Sequence, residues 1–165
     1  MIKTFAVVLL SVAAVACGAD EPMPVAQTVP AEATPSAAAD SHGHAAPHGG
    51  TLLELGEHVG FLEFVLDAGA GTLTAYVLDG GAEQAVRIPQ PTILVTFDAP
   101  KALDSQTLTL AARANVLTGE SEGDTSEFVL THPALKGQTA FYARVAEVVV
   151  KGQTFKDLTV MKASK

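Results

Sequence analysis

The chain has 165 residues, 18 acidic against 10 basic, for a formal charge of −8, and a single cysteine. That balance repels phosphate backbones and excludes nucleic acid and electrostatic adsorption to acidic lipid, both of which need clustered Lys and Arg. One thiol also excludes an internal disulfide.

The opening segment, MIKTFAVVLLSVAAVACGAD, sets Lys3 before an apolar run from Phe5 to Leu10 and then small residues up to Cys17. This is the pattern of an export signal over residues 1–16. Its uncharged run falls short of the ~20 residues that a permanent membrane-crossing helix needs. Ala14-Val15-Ala16-Cys17 resembles a bacterial lipobox, with Ala14 standing where such signals usually carry Leu. The resemblance implies a lipoprotein of the bacterial cell envelope, facing the periplasm, with Cys17 as its acylated first residue. Each buried acyl methylene contributes ~0.8 kcal/mol, so more than one chain on Cys17 anchors a protein firmly to a membrane. Acylation also removes the liability of a free thiol in an oxidising compartment. Ala14 and Ala16 suit an ordinary secretory peptidase as well, and that alternative gives a secreted protein.

Residues 17–47 turn to Ala, Pro, Glu, Thr and Ser, with five prolines and little bulky apolar surface. Such a stretch cannot offset the entropy of ordering it, so a disordered linker is expected.

From His48 onward, short apolar runs alternate with Gly, Pro, Asp and Asn. The pattern predicts strands at residues 51–55, 60–66, 72–78, 84–88, 92–97, 106–112, 127–131, 140–150 and 154–161. GEHVG and the DGG at 79–81 read as turns, and Lys151-Gly152-Gln153 as a hairpin loop. A short helix around residues 110–116 is the alternative for that stretch. The expected fold is all-β: one antiparallel β-sandwich, Ig-like or a small barrel, over residues 48–165. The expected core is Phe61, Phe64, Leu66, Leu73, Val77, Ile93, Val95, Phe97, Leu108, Leu110, Phe128, Leu130, Phe141, Val145, Val149, Phe155 and Leu158.

SHGHAAPHGG, residues 41–50, holds three of the five histidines. His42, His44 and His48 share parity, so in an extended chain their side chains leave on one side and can converge on one ion if the Ala-Ala-Pro between them bends. Imidazole suits Cu(II), Ni(II) and Zn(II), and the general affinity order favours copper. Ordering seven backbone residues costs about 7 to 14 kcal/mol, so a floppy tail binds weakly unless the first strand orders it; the same residues also read as a polar linker. His58 is expected ~20 Å from His48, at the other end of the first strand, and His132 in a surface loop.

Asp124, Ser126 and His132 are no triad, because a strand of this length separates nucleophile and base by ~20 Å. There is no nucleophile elbow, Walker loop, paired cysteine or HExxH. The acidic GESEGDTSE at 119–127 lacks the spacing of a calcium hand and reads as a solvated loop. A protein that is not an enzyme is expected.

The stretch PHGGTLLELGEHVGFLEFVLDAGAGTLTAYVLDG, residues 47–80, resembles small bacterial envelope lipoproteins and the His-Gly-Gly-containing extra domains of periplasmic adaptor proteins in heavy-metal resistance-nodulation-division efflux. FYARVAEVVVKGQTFKDLTV, residues 141–160, is similar to their closing hairpin. The resemblance implies a periplasmic β-sandwich linked to copper, zinc or related cations, and only His48 matches its motif. The chain lacks the coiled-coil hairpin and lipoyl-like halves of an adaptor, so it would act as an efflux accessory. Two functional readings follow: a metal-binding envelope protein, or an interaction module that pairs with another envelope protein through an edge strand, for which residues 140–150 are the candidate if they lie at a rim.

Overall fold

The computed structural model describes residues 43–164. The signal segment, Cys17, His42 and most of the linker lie outside the described residues.

The described chain forms eight strands in one antiparallel sheet. They are β1 (Thr51–Leu55), β2 (Gly60–Asp67), β3 (Thr72–Leu78), β4 (Thr92–Ala99), β5 (Gln106–Ala112), β6 (Glu127–Thr131), β7 (Phe141–Val150) and β8 (Gln153–Lys162). Their order is β1-β2-β3-β6-β5-β4-β7-β8. β4, β5 and β6 are consecutive neighbours, with β3 beside β6 and β7 beside β4, which makes two overlapping Greek keys. The two ends of the sheet, β1 and β8, come close to each other, so the sheet nearly closes into a barrel. Across that seam Gly56 lies against the Phe155 ring and the Lys151 ammonium donates to the Val59 carbonyl at 2.9 Å.

Alternation along each strand builds the interior. Leu53, Leu55, Leu62, Phe64, Leu73, Val77, Ile93, Val95, Phe97, Leu110, Phe128, Phe141 and Val145 face it and are buried. Leu66, Leu108, Leu130, Phe155 and Leu158 pack against it while keeping some exposure. β7 changes parity midway. Phe141, Ala143 and Val145 are buried, Ala146 and Glu147 are both exposed, and Val148 and Val150 are buried next. The expected inward Val149 is therefore half-buried, and its two neighbours take its place.

The β7–β8 connection is a two-residue turn, with Lys151 and Gly152 at φ 50 and φ 76. Positive φ at both positions matches the right-handed twist of the flanking strands.

One expected strand needs correction, and two points left open are decided. Residues 84–88 do not form a strand; they make a return held by single bridges, Leu78 to Ala85 and Ile88 to Thr125, whose role is to bring Ile88 into the core. Residues 110–116 contain no helix, since β5 runs to Ala112 and a turn follows. β7 lies between β4 and β8, so it is not at a rim.

Candidate functional site

β2 is buried on both faces from Gly60 to Phe64. Leu62 and Phe64 point inward; Phe61 and Glu63 point outward and are equally inaccessible. The N-terminal segment covers Glu63 and, together with Ala82, covers Phe61. A turn at residues 47–50, closed by the Gly49 N–H donating to the Ala46 carbonyl at 3.0 Å, folds the chain back over the outer face of β1–β3. The packed chain thus begins no later than His44, ahead of the expected start at His48.

Each residue of His48-Gly49-Gly50 has a separate physical task. His48 donates its backbone N–H to Glu63 Oε1 at 2.9 Å, and its Nδ1 lies 2.7 Å from Glu63 Oε2. A carboxylate only accepts, so Nδ1 is the donor in this contact. Gly49 sits at φ 72, the left-handed region where a side chain is disfavoured. Gly50 donates to Glu63 Oε1 at 2.8 Å, and a Cβ there would stand 2.5 Å from the Phe64 carbonyl oxygen. Two backbone donors and one imidazole thereby satisfy a carboxylate that is completely buried.

The ladder places Leu52, Glu63, Tyr76 and Glu127 in one row across β1, β2, β3 and β6. The His48 ring stacks on Tyr76 with centroids 3.8 Å apart and planes 11° from parallel. Burial, and next the Glu127 carboxylate, push the Tyr76 hydroxyl above its ordinary pKa.

The neighbouring row is Glu54, Phe61 and Leu78. His44 lies over it, its ring centroid 5.1 Å from that of Phe61 and its Nδ1 3.1 Å from the Gly81 carbonyl oxygen. His58, at the β1–β2 turn, stands 5.7 Å from His44, ring to ring. The expected separation concerned His48 and His58; it is His44, ahead of the turn at residues 47–50, that stands near His58. Sequence reasoning missed Glu63, whose place as a Glu in an otherwise apolar GFLEFVL was the one available signal.

His44 and His48 thus have different neighbours on the same face, and His42 is outside the described residues. Among the described residues no group of three or more His, Cys, Asp and Glu side chains could hold a metal ion.

The remaining polar candidates have structural work. His132 Nδ1 accepts the Ala134 N–H and caps the short 3-10 helix Pro133–Leu135. Ser126 donates its hydroxyl to Glu120, and Asp124 pairs with Arg87 at 3.1 Å, so neither shares a contact with His132. The acidic 119–127 stretch is an ordered loop, held by bridges from Asn115 to Glu120 and from Ser121 to Asp124. Burial works against the Glu120 carboxylate, but hydrogen bonds from Ser126 and Thr118 and the charge of Arg87 hold it below its ordinary range.

In comparisons with known proteins, no family model, no curated protein and no solved structure matches the chain.

Proposed function

We propose that this is a non-enzymatic lipoprotein of the bacterial cell envelope, anchored to a membrane through Cys17, whose N-terminal imidazoles His42, His44 and His48 bind a divalent transition metal, copper or zinc, in support of metal efflux. The observation that carries the reading is the docking of the histidine segment. A free tail meets a large ordering cost before it can bind. Here the His48 ring is already fixed by Glu63 and Tyr76, and the His44 ring by Gly81 and Phe61. An imidazole whose Nδ1–H is held by an oxygen presents Nε2 in a set direction, which is how outer-shell partners orient metal ligands. The resemblance of residues 47–80 to envelope proteins of metal efflux supports the same reading.

The test is titration of the mature chain with Cu(II) and Zn(II) against a competing chelator, beside a His42→Ala, His44→Ala, His48→Ala variant. The reading expects the variant to lose at least tenfold in affinity, and both metals to be released on acidification because only neutral imidazole binds them. Equal affinity in the two proteins overturns it.

A second reading, an envelope interaction module without metal, rests on Val116 and Leu117. They stand 94% and 97% exposed at the tip of the ordered loop between β5 and β6. A specific envelope partner kept by the histidine-free variant and lost with Val116→Ser and Leu117→Ser would favour it.

A further inference from the structure

We infer that Val116 and Leu117 dip into the lipid surface to which the chain is anchored, so that the end of the sheet bearing them faces the membrane. The inference rests on the lipid-anchor part of the reading above, and adds to it a second contact, made by the folded domain, and an orientation.

The ladder divides the loops between two ends. Pairing of Leu55 with Gly60, of Phe61 with Leu78 and of Val150 with Gln153 puts the β1–β2 turn, the return after β3 and the β7–β8 turn at one end. Pairing of Tyr76 with Glu127 and of Ala112 with Phe128 puts the β5–β6 loop, residues 113–126, at that same end. The described chain starts there too. His44 lies over Phe61 with its Nδ1 3.1 Å from the Gly81 carbonyl oxygen, so the chain leads back toward Cys17 from the end that carries Val116 and Leu117.

The loop is built to hold an apolar tip. Asn115 and Glu120 exchange backbone hydrogen bonds at 3.0 and 2.9 Å, closing a turn over residues 116–119. Asn115 Oδ1 accepts the Leu117 N–H at 3.0 Å, and the Arg87 guanidinium, paired with Asp124 at 3.1 Å, also donates to the Thr118 carbonyl. The Thr118 hydroxyl donates to Glu120 Oε2 at 2.6 Å, and Glu120 Oε1 accepts the Ser126 N–H at 2.9 Å. These polar groups find their partners inside the loop, which lowers the penalty for moving the tip out of water. The Val116 and Leu117 side chains are left 94% and 97% exposed. Turns ordinarily carry Gly, Asn, Asp or Ser at such positions, and this pair adds nothing to the core.

A membrane fits the tip better than a protein does. Two adjacent side chains cover a small part of the about 800 Å² that each partner brings to a stable interface, whereas a lipid surface asks for no matching shape. Burial of one valine and one leucine would bind a free protein weakly. Held by Cys17, the domain is never farther from the bilayer than residues 18–42 can reach, about 90 Å at full extension. At that local concentration a weak second contact is enough. Glu120, Glu122 and Asp124 follow the tip, and acidic headgroups repel them, so the lipid it meets is zwitterionic.

The chain has no tryptophan, so Leu117→Trp and, in the β6–β7 connection at the opposite end, Thr139→Trp each report one place. The experiment reconstitutes the acylated mature variants in phosphatidylcholine vesicles with brominated acyl chains. Expected is at least threefold stronger quenching of Leu117→Trp than of Thr139→Trp, unchanged by salt. Tryptophan itself favours lipid interfaces, so the unmutated chain is read as well: amide exchange at residues 116–119 should slow at least threefold on vesicles relative to the Cys17→Ser chain in solution, with residues 137–140 unchanged. Equal quenching at the two positions, or unchanged exchange at 116–119, overturns the inference, and the anchor reading stands if the chain is vesicle-bound through Cys17 all the same. An unquenched position 117 that crosslinks to an envelope protein overturns it in favour of the interaction module. If Cys17 carries no lipid in cells, the anchor reading and this inference fall together.

Discussion

Glu63, fully buried in the middle of β2, is joined to His48, fifteen positions earlier in the chain, at 2.7 Å. That pair fastens the N-terminal segment to the outer face of the sheet. It is also the reason a carboxylate can occupy so dry a place: every donor it needs comes from the segment that buries it.

Removing either side of such an arrangement should cost more than the arrangement contributes, because the survivor is left unsatisfied. Glu63→Ala is expected to lower unfolding stability by about 3 kcal/mol, read by denaturant titration. It should also make residues 43–50 accessible to limited proteolysis under native conditions. A change below about 0.5 kcal/mol, the size of an ordinary surface substitution, would show that the segment is held by other contacts.

The two glycines after His48 should respond differently. Gly49→Ala meets open space and only a left-handed backbone, so a loss of about 1 to 2 kcal/mol is expected. Gly50→Ala drives a methyl group into the Phe64 carbonyl and the Glu63 side chain. Backbone cannot yield there without opening the β1–β2 ladder, so the larger loss falls on Gly50. Melting temperatures of the two variants decide the order.

Acid should weaken the fold through Glu120 and Asp79. Both carboxylates are held below their ordinary ranges in the folded chain. A lowered folded value means the unfolded chain takes up the proton first, so the stabilisation is complete above the ordinary carboxylate range, about pH 4. It drains away as pH falls from there through the depressed values. Stability measured between pH 7 and pH 2 should therefore decline toward acid, and Glu120→Gln should flatten that decline.

The parity change in β7 predicts which valine matters. Val148 is fully buried and Val149 is not. Val148→Ala should cost about 2 kcal/mol and Val149→Ala less than half of that, measured by chemical unfolding. Equal losses would mean that the strand keeps one parity throughout.

Much of the sheet was legible because period-two alternation and turn residues are local signals. Residues 72–78, 106–112 and 127–131 emerged with their ends in place. Residues 84–88 carry the same alternation, Ala-Val-Arg-Ile, but end at Pro89 and have one bridge at each end in place of a ladder. Pairing is a tertiary fact, and alternation alone does not supply a partner. The all-β class was readable for the same reason, whereas the Greek-key order was not.

The site was legible only in its residue types. His44 and His48 were visible as a spacing, but their separation onto two rows of the sheet depends on a reversal at residues 47–50 that the sequence signals only as Pro-His-Gly-Gly. His58 was set aside on its distance from His48, and it is His44, ahead of that reversal, that stands near it.

The seam between β1 and β8 ties the beginning of the described chain to its end. A ring of this kind cannot shut until its last hairpin arrives, so the early hairpins must wait, half-assembled, with apolar sides uncovered. Loss of β8 would turn β7 into a margin and take from β1 the strand that stands opposite it.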